Sequence, residues 1–440
     1  MPIYDRKMET LSRGALEQLQ LERLQITLNR VVRNVAFYRQ QFDSRRIDTL
    51  SIKSLDDLRR LPFTTKDDVR RGSPYDMFAV PLRDIVRVQC SAGTTGDPVG
   101  VGYTANDIRH WSGVIARILA AAGVSDQDFI QISFPYGLMT GGMGFHYGAE
   151  RIGASVIPAS GEEVHRQITI MKYFKATVLV GRPGYALAMA RAMAEMNLRP
   201  EQLNLRCGVF GSEPWSENQR AQIQEQLRIR AYDSYGLSEI MGPGLAGECE
   251  EQNGMHIQED HFIAEVINPD TLEPAPAGEE GELVFTTITK EAFPMIRYRT
   301  GDIARITDEP CACGRTFRRM SRVKDRTDNL IFVSGHKFFP SEVDEIIQKA
   351  AGLSPNFKIV LDRKEGAEAV EIHLEVTSDF PQLDEIKALE RMRESVARAL
   401  VAALGVEVDV KFVQPASRLT AGGKKVIPIE DRRKQDGQRK

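Results

Sequence analysis

A run of small and hydroxyl-bearing residues at 90–99, CSAGTTGDPV, has the composition of a loop that holds phosphate. Glycines let the backbone turn its N–H groups inward, and the hydroxyls of Ser91, Thr94 and Thr95 add donors for phosphate oxygens. No lysine follows the second glycine, so the run departs from the P-loop pattern. Ordinary surface turns also have this composition, and the accompanying motifs must decide between the two interpretations.

Four further motifs follow along the chain: DSYGLSE at 233–239, YRTGD at 298–302, DRTDN at 325–329 and GGKK at 422–425. In this order they resemble the core motifs of the adenylate-forming superfamily, the acyl-CoA synthetases and their relatives. Within that superfamily the chain is most similar to phenylacetate–CoA ligases, through YGLMTGGMGFHYG at 136–148, YGLSEIMGPG at 235–244 and HIQEDH at 256–261. The resemblance covers essentially the whole chain.

The resemblance implies an AMP-forming acid–thiol ligase that uses an aryl acid, ATP, Mg²⁺ and coenzyme A. A carboxylate is a poor electrophile, so its oxygen first attacks the α-phosphorus of ATP and pyrophosphate leaves. The resulting acyl-adenylate then reacts with the thiol. The acid would be phenylacetate or a benzoate-type acid such as anthranilate or a hydroxybenzoate. Two alternatives stay open: an enzyme that loads an acyl carrier protein or an amine, and a nucleotide-binding protein without turnover.

The same resemblance implies which residues bind ATP. Glu239 would contact Mg²⁺ beside the phosphates, and Arg326 would contact the nucleotide. Asp302 would accept hydrogen bonds from the two ribose hydroxyls, although an aspartate after Thr-Gly also caps turns. The phosphate loop would comprise Ser91, Gly93, Thr94, Thr95 and Gly96. The adenine would lie against Tyr235, with Gly236 and Ser238 beside it, and against a wall of Gly211, Ser212, Glu213 and Pro214.

Lys424, which directly follows two glycines, is the implied catalytic lysine for adenylation, with Lys425 as the second choice. A fixed cation where charge develops is worth about a hundred- to a thousandfold in rate. Asp328 would be the hinge about which a C-terminal lid rotates between the two half-reactions. Lysine pairs are also common on protein surfaces without a function, so the catalytic role of Lys424 depends on the resemblance.

The acid-binding residues are the least specific part of the interpretation. The segment FPYGLMTGGM at 134–143 is rich in aromatic, methionine and glycine residues, which suits a flat apolar pocket but equally suits a core. The residues that we expect to contact the acid are Tyr136, Gly142, Met241 and Gly242.

Three residues depart from the family pattern. Asp97 stands where a lysine is usual in the phosphate loop, and its carboxylate should repel triphosphate unless it faces away or helps to hold the metal ion. Asp325 replaces a common glycine and Asn329 a common aspartate near the hinge. These two changes raise the question whether adenylation is better preserved than thioester formation.

Three thiols and an imidazole are spaced irregularly along the second half of the chain. Cys311 and Cys313 form a Cys-x-Cys-Gly turn, and Cys249 and His256 precede it. Such a set suits a structural, tetrahedral Zn²⁺, although Cys-x-Cys is a weaker signal than paired Cys-x-x-Cys motifs. The alternative is a turn with two incidental thiols.

Composition narrows the function classes. The formal net charge of −3 gives no long-range attraction to nucleic acid or to an anionic membrane. Five cysteines in 440 residues do not form a disulfide framework, and no long apolar run is present. We therefore expect a cytoplasmic protein that binds small molecules, and its relatives make a homodimer plausible.

Hydrophobic patterning predicts an α/β fold with mixed and parallel sheets. Apolar runs at 129–134, 155–158 and 177–180 alternate with helical stretches such as 185–196, which indicates a parallel sheet. Runs at 262–267, 281–286 and 303–306 indicate an antiparallel subdomain. We expect a core at 1–327 and an α+β lid at 328–440, with strands at 330–334, 357–361 and 371–376 and helices at 341–350 and 384–404. Leu16, Leu19, Leu21, Leu24, Ile26 and Leu28 form the predicted apolar stripe of an N-terminal helix.

Overall fold

A computed structural model describes residues 3–91, 99–161, 163–348, 350, 353–364, 367–376, 386–413 and 429–433. The chain divides into two units, Met1–Val323 and Lys324–Lys440, close to the boundary suggested by the sequence. No helix in these described ranges is long and apolar enough to cross a membrane.

The helices of the N-terminal unit lie mainly before and between the strands of its largest sheet. They are α1 (Arg6–Glu9), α2 (Arg13–Asn34), α3 (Ala36–Ser44), α4 (Lys66–Arg71), α5 (Ala105–Ala121), α6 (Thr140–Ile152), α7 (Val164–Tyr173), α8 (Pro183–Glu195) and α9 (Glu217–Leu227). The predicted helix at 185–196 is therefore α8.

The strands of this unit form a hairpin, a nine-stranded sheet and an antiparallel subdomain. They are β1 (Arg87–Cys90), β2 (Gly100–Tyr103), β3 (Phe129–Ile132), β4 (Ser155–Ile157), β5 (Val178–Gly181), β6 (Cys207–Gly211), β7 (Arg230–Leu237), β8 (Gly242–Glu248), β9 (Met255–Ile257), β10 (Phe262–Ile267), β11 (Gly281–Thr287), β12 (Tyr298–Ala304), β13 (Ile306–Thr307) and β14 (Arg319–Met320).

The nine-stranded sheet has the order β13-β14-β9-β8-β7-β6-β5-β3-β4. Its half from β4 to β7 is parallel, and its half from β7 to β13 is antiparallel. Strands β10, β11 and β12 pair antiparallel in a second sheet. The predicted mixed α/β fold is confirmed. The predicted strand at 303–306 is wrong, because that stretch spans the end of β12 and the start of β13.

The C-terminal unit is α+β. Its elements are β15 (Asp325–Arg326), β16 (Ile331–Val333), β17 (His336–Phe338), α10 (Pro340–Ile347), β18 (Leu353–Lys364), β19 (Ala367–Val376), α11 (Ile386–Leu404), β20 (Val408–Val413) and β21 (Ile429–Asp431). Strands β18 and β19 are antiparallel, and a parallel strand flanks each of them, in the order β20-β19-β18-β21.

The buried face of α2 differs from the predicted leucine stripe. Ile26 is 63% exposed, whereas Gln20 and Thr27 are buried beside Leu16 and Leu24. Gln20 can be buried because its side-chain amide donates to the carbonyls of Glu259 (2.8 Å) and Phe262 (3.3 Å). Helix α2 therefore packs onto the rest of the unit through the two hydrogen bonds of Gln20 as well as through its buried leucines.

A buried ion pair ties α5 to the loop between β9 and β10. The guanidinium of Arg117 donates to both carboxylate oxygens of Asp260, at 2.7 and 3.1 Å, and both side chains are almost fully buried. A buried charge that loses its partner is costly, because the remaining ion cannot be solvated.

Arg117→Met should lower the free energy of unfolding by about 3 kcal/mol, because the buried Asp260 carboxylate loses both hydrogen bonds from the guanidinium and retains the more distant Arg23, at 3.9 Å. Denaturant unfolding measures this. The control is Arg109→Met on the same helix, which changes an exposed side chain and should cost less than about 0.5 kcal/mol. Equal effects of the two substitutions would contradict the assigned role of the pair.

Candidate active site

Two of the segments predicted to bind the nucleotide lie at the carboxyl ends of neighbouring parallel strands. Strand β6 ends at Gly211, and β7 runs beside it in parallel register, with Gly211 opposite Ser234. Open α/β sheets bind ligands at this edge of the sheet. The wall at 211–214 and the Tyr235 segment are therefore adjacent in the structure.

The wall has a tightly constrained backbone. A Cβ atom at Gly211 would lie 2.2 Å from the carbonyl oxygen of Ser234, so only glycine permits this approach of the two strands. Ser212 adopts a positive φ of 71°, which is rare for a side-chain-bearing residue. The Glu213 carboxylate accepts a hydrogen bond from the Gly184 amide at 2.7 Å and thereby fixes the wall to α8.

Tyr235 and Asp302 meet directly. The Tyr235 hydroxyl donates to Oδ2 of Asp302 at 2.5 Å, and Asp302 is 4% exposed. Strand β7 carries the tyrosine and β12 carries the aspartate, so the contact brings together motifs that are 67 residues apart. The ring and the carboxylate predicted to hold adenine and ribose thus lie side by side.

The segment after β7 turns back through a helical turn, in which the Met241 amide donates to the Leu237 carbonyl at 3.1 Å. Glu239 lies on this turn and is buried. The hydroxyls of Ser238 and Thr140 lie 3.1 Å apart, which ties the turn to the start of α6. Gly236 permits the turn, because a Cβ there would lie 2.2 Å from the Gly242 carbonyl oxygen.

Two aromatic residues that the sequence interpretation missed support the segment predicted to contact the acid. Tyr103 and Trp111 are stacked, with ring centroids 5.0 Å apart. The Tyr103 hydroxyl donates to the Met241 carbonyl (2.9 Å), and the Trp111 indole N–H donates to the Pro243 carbonyl (2.8 Å). No local motif marks these residues, because their roles arise only when the end of β2 and α5 meet the segment at 241–243.

Gly242 lies against Trp111 with a φ of +112°, and a Cβ there would approach the indole to 2.5 Å. On α6, Gly142 approaches the backbone of Pro135 so closely that a Cβ would lie 2.8 Å from its carbonyl oxygen. Glycines therefore set the spacing between α5 and the start of β8, and between α6 and the loop after β3.

Tyr136 is half-buried on the loop after β3. Its hydroxyl lies 3.1 Å from Nδ1 of His146, and Nε2 of that histidine lies 3.2 Å from a Glu150 oxygen. Burial, with a smaller contribution from Glu150, raises the pKa of Tyr136 well above its usual range. The hydroxyl is thus neutral and held by α6.

Lys290 is a buried cation that the sequence interpretation also missed. Its ammonium lies 4.3 Å from the Tyr103 ring centroid and, among the described residues, has no hydrogen-bond partner. Burial lowers the pKa of Lys290 to about 7, and the charges of Asp107 and Glu239 oppose that shift. Asp107 fixes the following backbone by accepting from the amides of Glu291 (2.7 Å) and Ala292 (3.0 Å).

The four predicted metal ligands converge. Their ligand atoms all lie within 4.8 Å of one another, with Cys249 Sγ 3.7 Å from Cys311 Sγ and Cys313 Sγ 3.4 Å from His256 Nε2. Cys249 follows β8 and His256 lies on β9, while the pairing of β9 with β14 brings the Cys-x-Cys turn to them. Sulfurs around a tetrahedral zinc ion lie about 3.8 Å apart, so the spacing suits that ion.

The surroundings of this Cys₃His cluster also favour a metal ion. Nδ1 of His256 lies 3.1 Å from the Phe317 carbonyl, an arrangement that leaves Nε2 as the free lone-pair donor. The hydrogen bond from Cys249, together with His256 nearby, holds the pKa of the Cys313 thiol well below its usual range, although burial opposes this. The Arg315 amide donates to Cys313 Sγ at 3.5 Å.

In the C-terminal unit, the two residues that depart from the family pattern, Asp325 and Asn329, are hydrogen-bonded to each other. The Asn329 side-chain amide donates to Oδ1 of Asp325 (3.0 Å), and the Ser341 amide donates to Oδ2 (2.9 Å). The Arg326 guanidinium forms a fork with both carboxylate oxygens of Asp328, at 2.9 and 3.2 Å. Asp325 and Asn329 thus compensate each other within this turn.

Some predicted residues lie outside the described residues: Gly93, Thr94, Thr95, Gly96 and Asp97 of the phosphate loop, and Lys424 with Lys425. Ser91, at the start of that loop, is described, and its amide donates to the Val99 carbonyl at 3.1 Å. The preceding amide, of Cys90, donates to Leu138 (2.8 Å), so the loop begins beside the segment that carries Tyr136.

The fold and the site define an adenylate-forming enzyme. A family model described as "AMP-binding enzyme" matches residues 18–289, and one described as "AMP-binding enzyme C-terminal domain" matches residues 335–433. The chain belongs to this family, and relatives that are 40–44% identical over most of its length show that, within the family, it is one of the phenylacetate–coenzyme A ligases. The predicted class, an AMP-forming acid–CoA ligase, is thereby confirmed.

Three relatives illustrate the similarity. A phenylacetate–coenzyme A ligase of Thermus thermophilus is 40% identical over 98% of this chain and 100% of its own length. One of Pseudomonas putida is 44% identical over 86% of each chain. A crystal structure of 2-hydroxyisobutyryl-CoA ligase in complex with 2-HIB-AMP has 26% identity and a TM-score of 0.87, and the match covers 100% of this chain and 96% of that one.

Gly242→Ala should cost more stability than Gly137→Ala. Both glycines have a positive φ, at 112° and 100°, but an added Cβ meets Trp111 at position 242 and nothing within 4 Å at position 137. We expect about 1 kcal/mol for the backbone conformation at 137 and about 2 kcal/mol more at 242. Denaturant unfolding measures both, and equal costs would show that the indole contact does not constrain the backbone.

Proposed function

We propose that this protein joins an aromatic carboxylic acid to coenzyme A through an acyl-adenylate formed from ATP. The observation that carries this proposal is the Tyr235–Asp302 hydrogen bond at the carboxyl edge of the parallel strands. It brings together the ring that we propose for adenine and the buried carboxylate that we propose for ribose. The named activity of the 40–44% identical relatives supports the aryl acid as substrate.

Asp302 is suited to the ribose because a carboxylate accepts two hydrogen bonds from vicinal hydroxyls. The Tyr235 hydroxyl, by donating to the same carboxylate, holds it in place before the nucleotide binds. The wall at 211–214 then closes the adenine site from the neighbouring strand. Each of these roles is a proposal about how this chain binds ATP.

Glu239 is a buried oxygen donor of the kind that Mg²⁺ prefers, and we propose it as the protein's contact to that ion. Mg²⁺ would offset the charge of the phosphates when bound. The hinge at Asp328 also stays a proposal. The catalytic role of Lys424 is likewise a proposal, and it depends on the sequence motif alone.

The acid is expected to lie along the segment that begins at Met241. Its backbone is held by hydrogen bonds from Tyr103 and Trp111, and Gly242 brings it close against the indole. A floor set by close backbone packing and aromatic rings suits a planar apolar ring better than a branched hydroxy acid.

Acid-dependent ATP–pyrophosphate exchange tests the function. We expect exchange with phenylacetate, benzoate, anthranilate or a hydroxybenzoate to exceed exchange with 2-hydroxyisobutyrate at least about tenfold, a difference of about 1.4 kcal/mol in transition-state binding. Coenzyme A should then stimulate AMP release. Exchange without a response to coenzyme A would favour a carrier- or amine-dependent enzyme, and no exchange with any acid would overturn the proposal.

Asp302→Asn should lower the exchange rate by about a hundredfold, because the amide accepts less strongly from the ribose. The control is Asp270→Asn in the turn after β10, where the carboxylate is exposed and exchange should not change. A similar loss in both variants would contradict the ribose assignment.

The alternatives are not favoured. The departures at Asp325 and Asn329 motivated the carrier-loading hypothesis, but these residues bond to each other and so give no reason to expect a lost second half-reaction. An acyl carrier protein as partner, a homodimer and a cytoplasmic location stay predictions of the sequence.

We further propose that the Cys₃His cluster holds a structural Zn²⁺. The donor set, the spacing of its atoms and the hydrogen bond that orients His256 all fit that ion. Three of the four ligands are buried, which suits a closed site that stabilises the sheet and takes no part in the reaction.

Metal analysis of the purified protein should find about one zinc ion per chain. Cys313→Ser should remove most of it and lower the melting temperature by about 5 °C, because the metal ion contributes to folding. Cys207→Ala, which changes a buried thiol outside the cluster, should keep the zinc. Protein that takes up no zinc when supplied with it would refute the assignment.

A further inference from the structure

Arg322 is the penultimate residue of the N-terminal unit and contacts Trp215, the residue that follows the predicted nucleotide wall. Its guanidinium lies over the Trp215 ring, 4.4 Å from the centroid, and donates to the Trp215 carbonyl at 3.0 Å. Trp215 is buried and directly follows the wall at 211–214. The arginine therefore holds both the ring and the backbone at the end of that wall.

The same guanidinium is the counter-charge of a buried carboxylate on the next strand. Nε of Arg322 lies 3.4 Å from Oδ2 of Asp233, and its Nη2 lies 3.4 Å from the exposed Glu217. Asp233 precedes Tyr235 by two positions on β7. One side chain thus touches the neighbours of both segments that are predicted to contact adenine.

Two buried carboxylates, of Asp233 and Glu248, lie close together in this region, and a single arginine would not compensate both of them. Asp233 lies beside Glu248, whose oxygen accepts from the Asp233 amide at 2.7 Å and whose other oxygen pairs with Arg220 at 2.5 Å. Arg220 also lies near Trp215, 5.5 Å from the ring centroid. Without Arg322, two buried carboxylates would share Arg220, and the strand that carries Asp233 would have to shift or take up a proton.

We propose that Arg322 is a positioning residue for ATP: by stacking on Trp215 and pairing with Asp233, it holds the wall at 211–214 and Tyr235 at the spacing that adenine requires. This inference rests on the proposed function, because it takes those segments to be the nucleotide site. Lysine cannot replace the arginine, since its compact ammonium can neither stack on the indole nor reach the carbonyl and the carboxylate together.

Titration calorimetry of ATP binding without acid tests the role directly. Arg322→Lys and Arg322→Met should each weaken ATP binding by about tenfold, whereas the KM for the acid in pyrophosphate exchange should stay within about twofold. A merely structural role would not separate the two substrates. If Arg322→Met does not fold, Arg322→Lys alone decides, because it keeps the charge.

Arg206→Lys is the matched control. Arg206 forks onto the buried Asp128, with Nε 2.9 Å and Nη2 2.5 Å from its oxygens, at the opposite edge of the same sheet, just before β6. Its substitution should lower the melting temperature and leave ATP affinity unchanged.

Normal ATP affinity in both Arg322 variants would overturn the inference, and so would an equal loss in Arg206→Lys. Wild-type protein that neither binds ATP nor supports exchange with any acid would instead overturn the proposed function itself. The two failures are therefore distinguishable.

Discussion

The hydrogen bond between Tyr235 and Asp302 joins two different sheets, the nine-stranded sheet and the antiparallel sheet, at the proposed nucleotide site. The tyrosine can reach the aspartate only because β7 continues past the edge of its parallel neighbours and turns back as β8. That turn requires Gly236, whose missing Cβ makes room for the Gly242 carbonyl. The relative position of the mixed sheet and the antiparallel subdomain therefore determines the geometry of the site.

Charged residues that do not face the site hold this arrangement. Arg220 and Arg322 compensate Asp233 and Glu248 next to the wall at 211–214, and Asp107 orients the backbone beside Lys290 through two amides. An ammonium without a hydrogen-bond partner in the described part of the chain, as at Lys290, costs folding energy that an apolar side chain would not. Such costs are expected where function constrains the residues more strongly than stability does.

The order of the motifs and the alternation of apolar runs were enough to predict the parallel half of the sheet and the family. The sequence predicted burial and side-chain roles less well where contacts between distant segments determine them. Gln20 is buried and Ile26 is exposed because of what α2 meets, and the support of Met241 by Tyr103 and Trp111 leaves no local pattern. The cluster of Cys249, His256 and the Cys-x-Cys turn was suggested by residue type, but only the pairing of β9 with β14 brings it together.

The contact of Trp111 with Gly144 and Gly242 limits how the proposed acid site could change. A Cβ at either glycine would lie 2.5 Å from the indole, so neither position tolerates enlargement while the tryptophan is present. The indole also carries the hydrogen bond to Pro243, so shortening it would release the backbone that it supports. Evolution could therefore reshape the proposed acid site at these positions only through paired changes at the tryptophan and a glycine, and not through single substitutions.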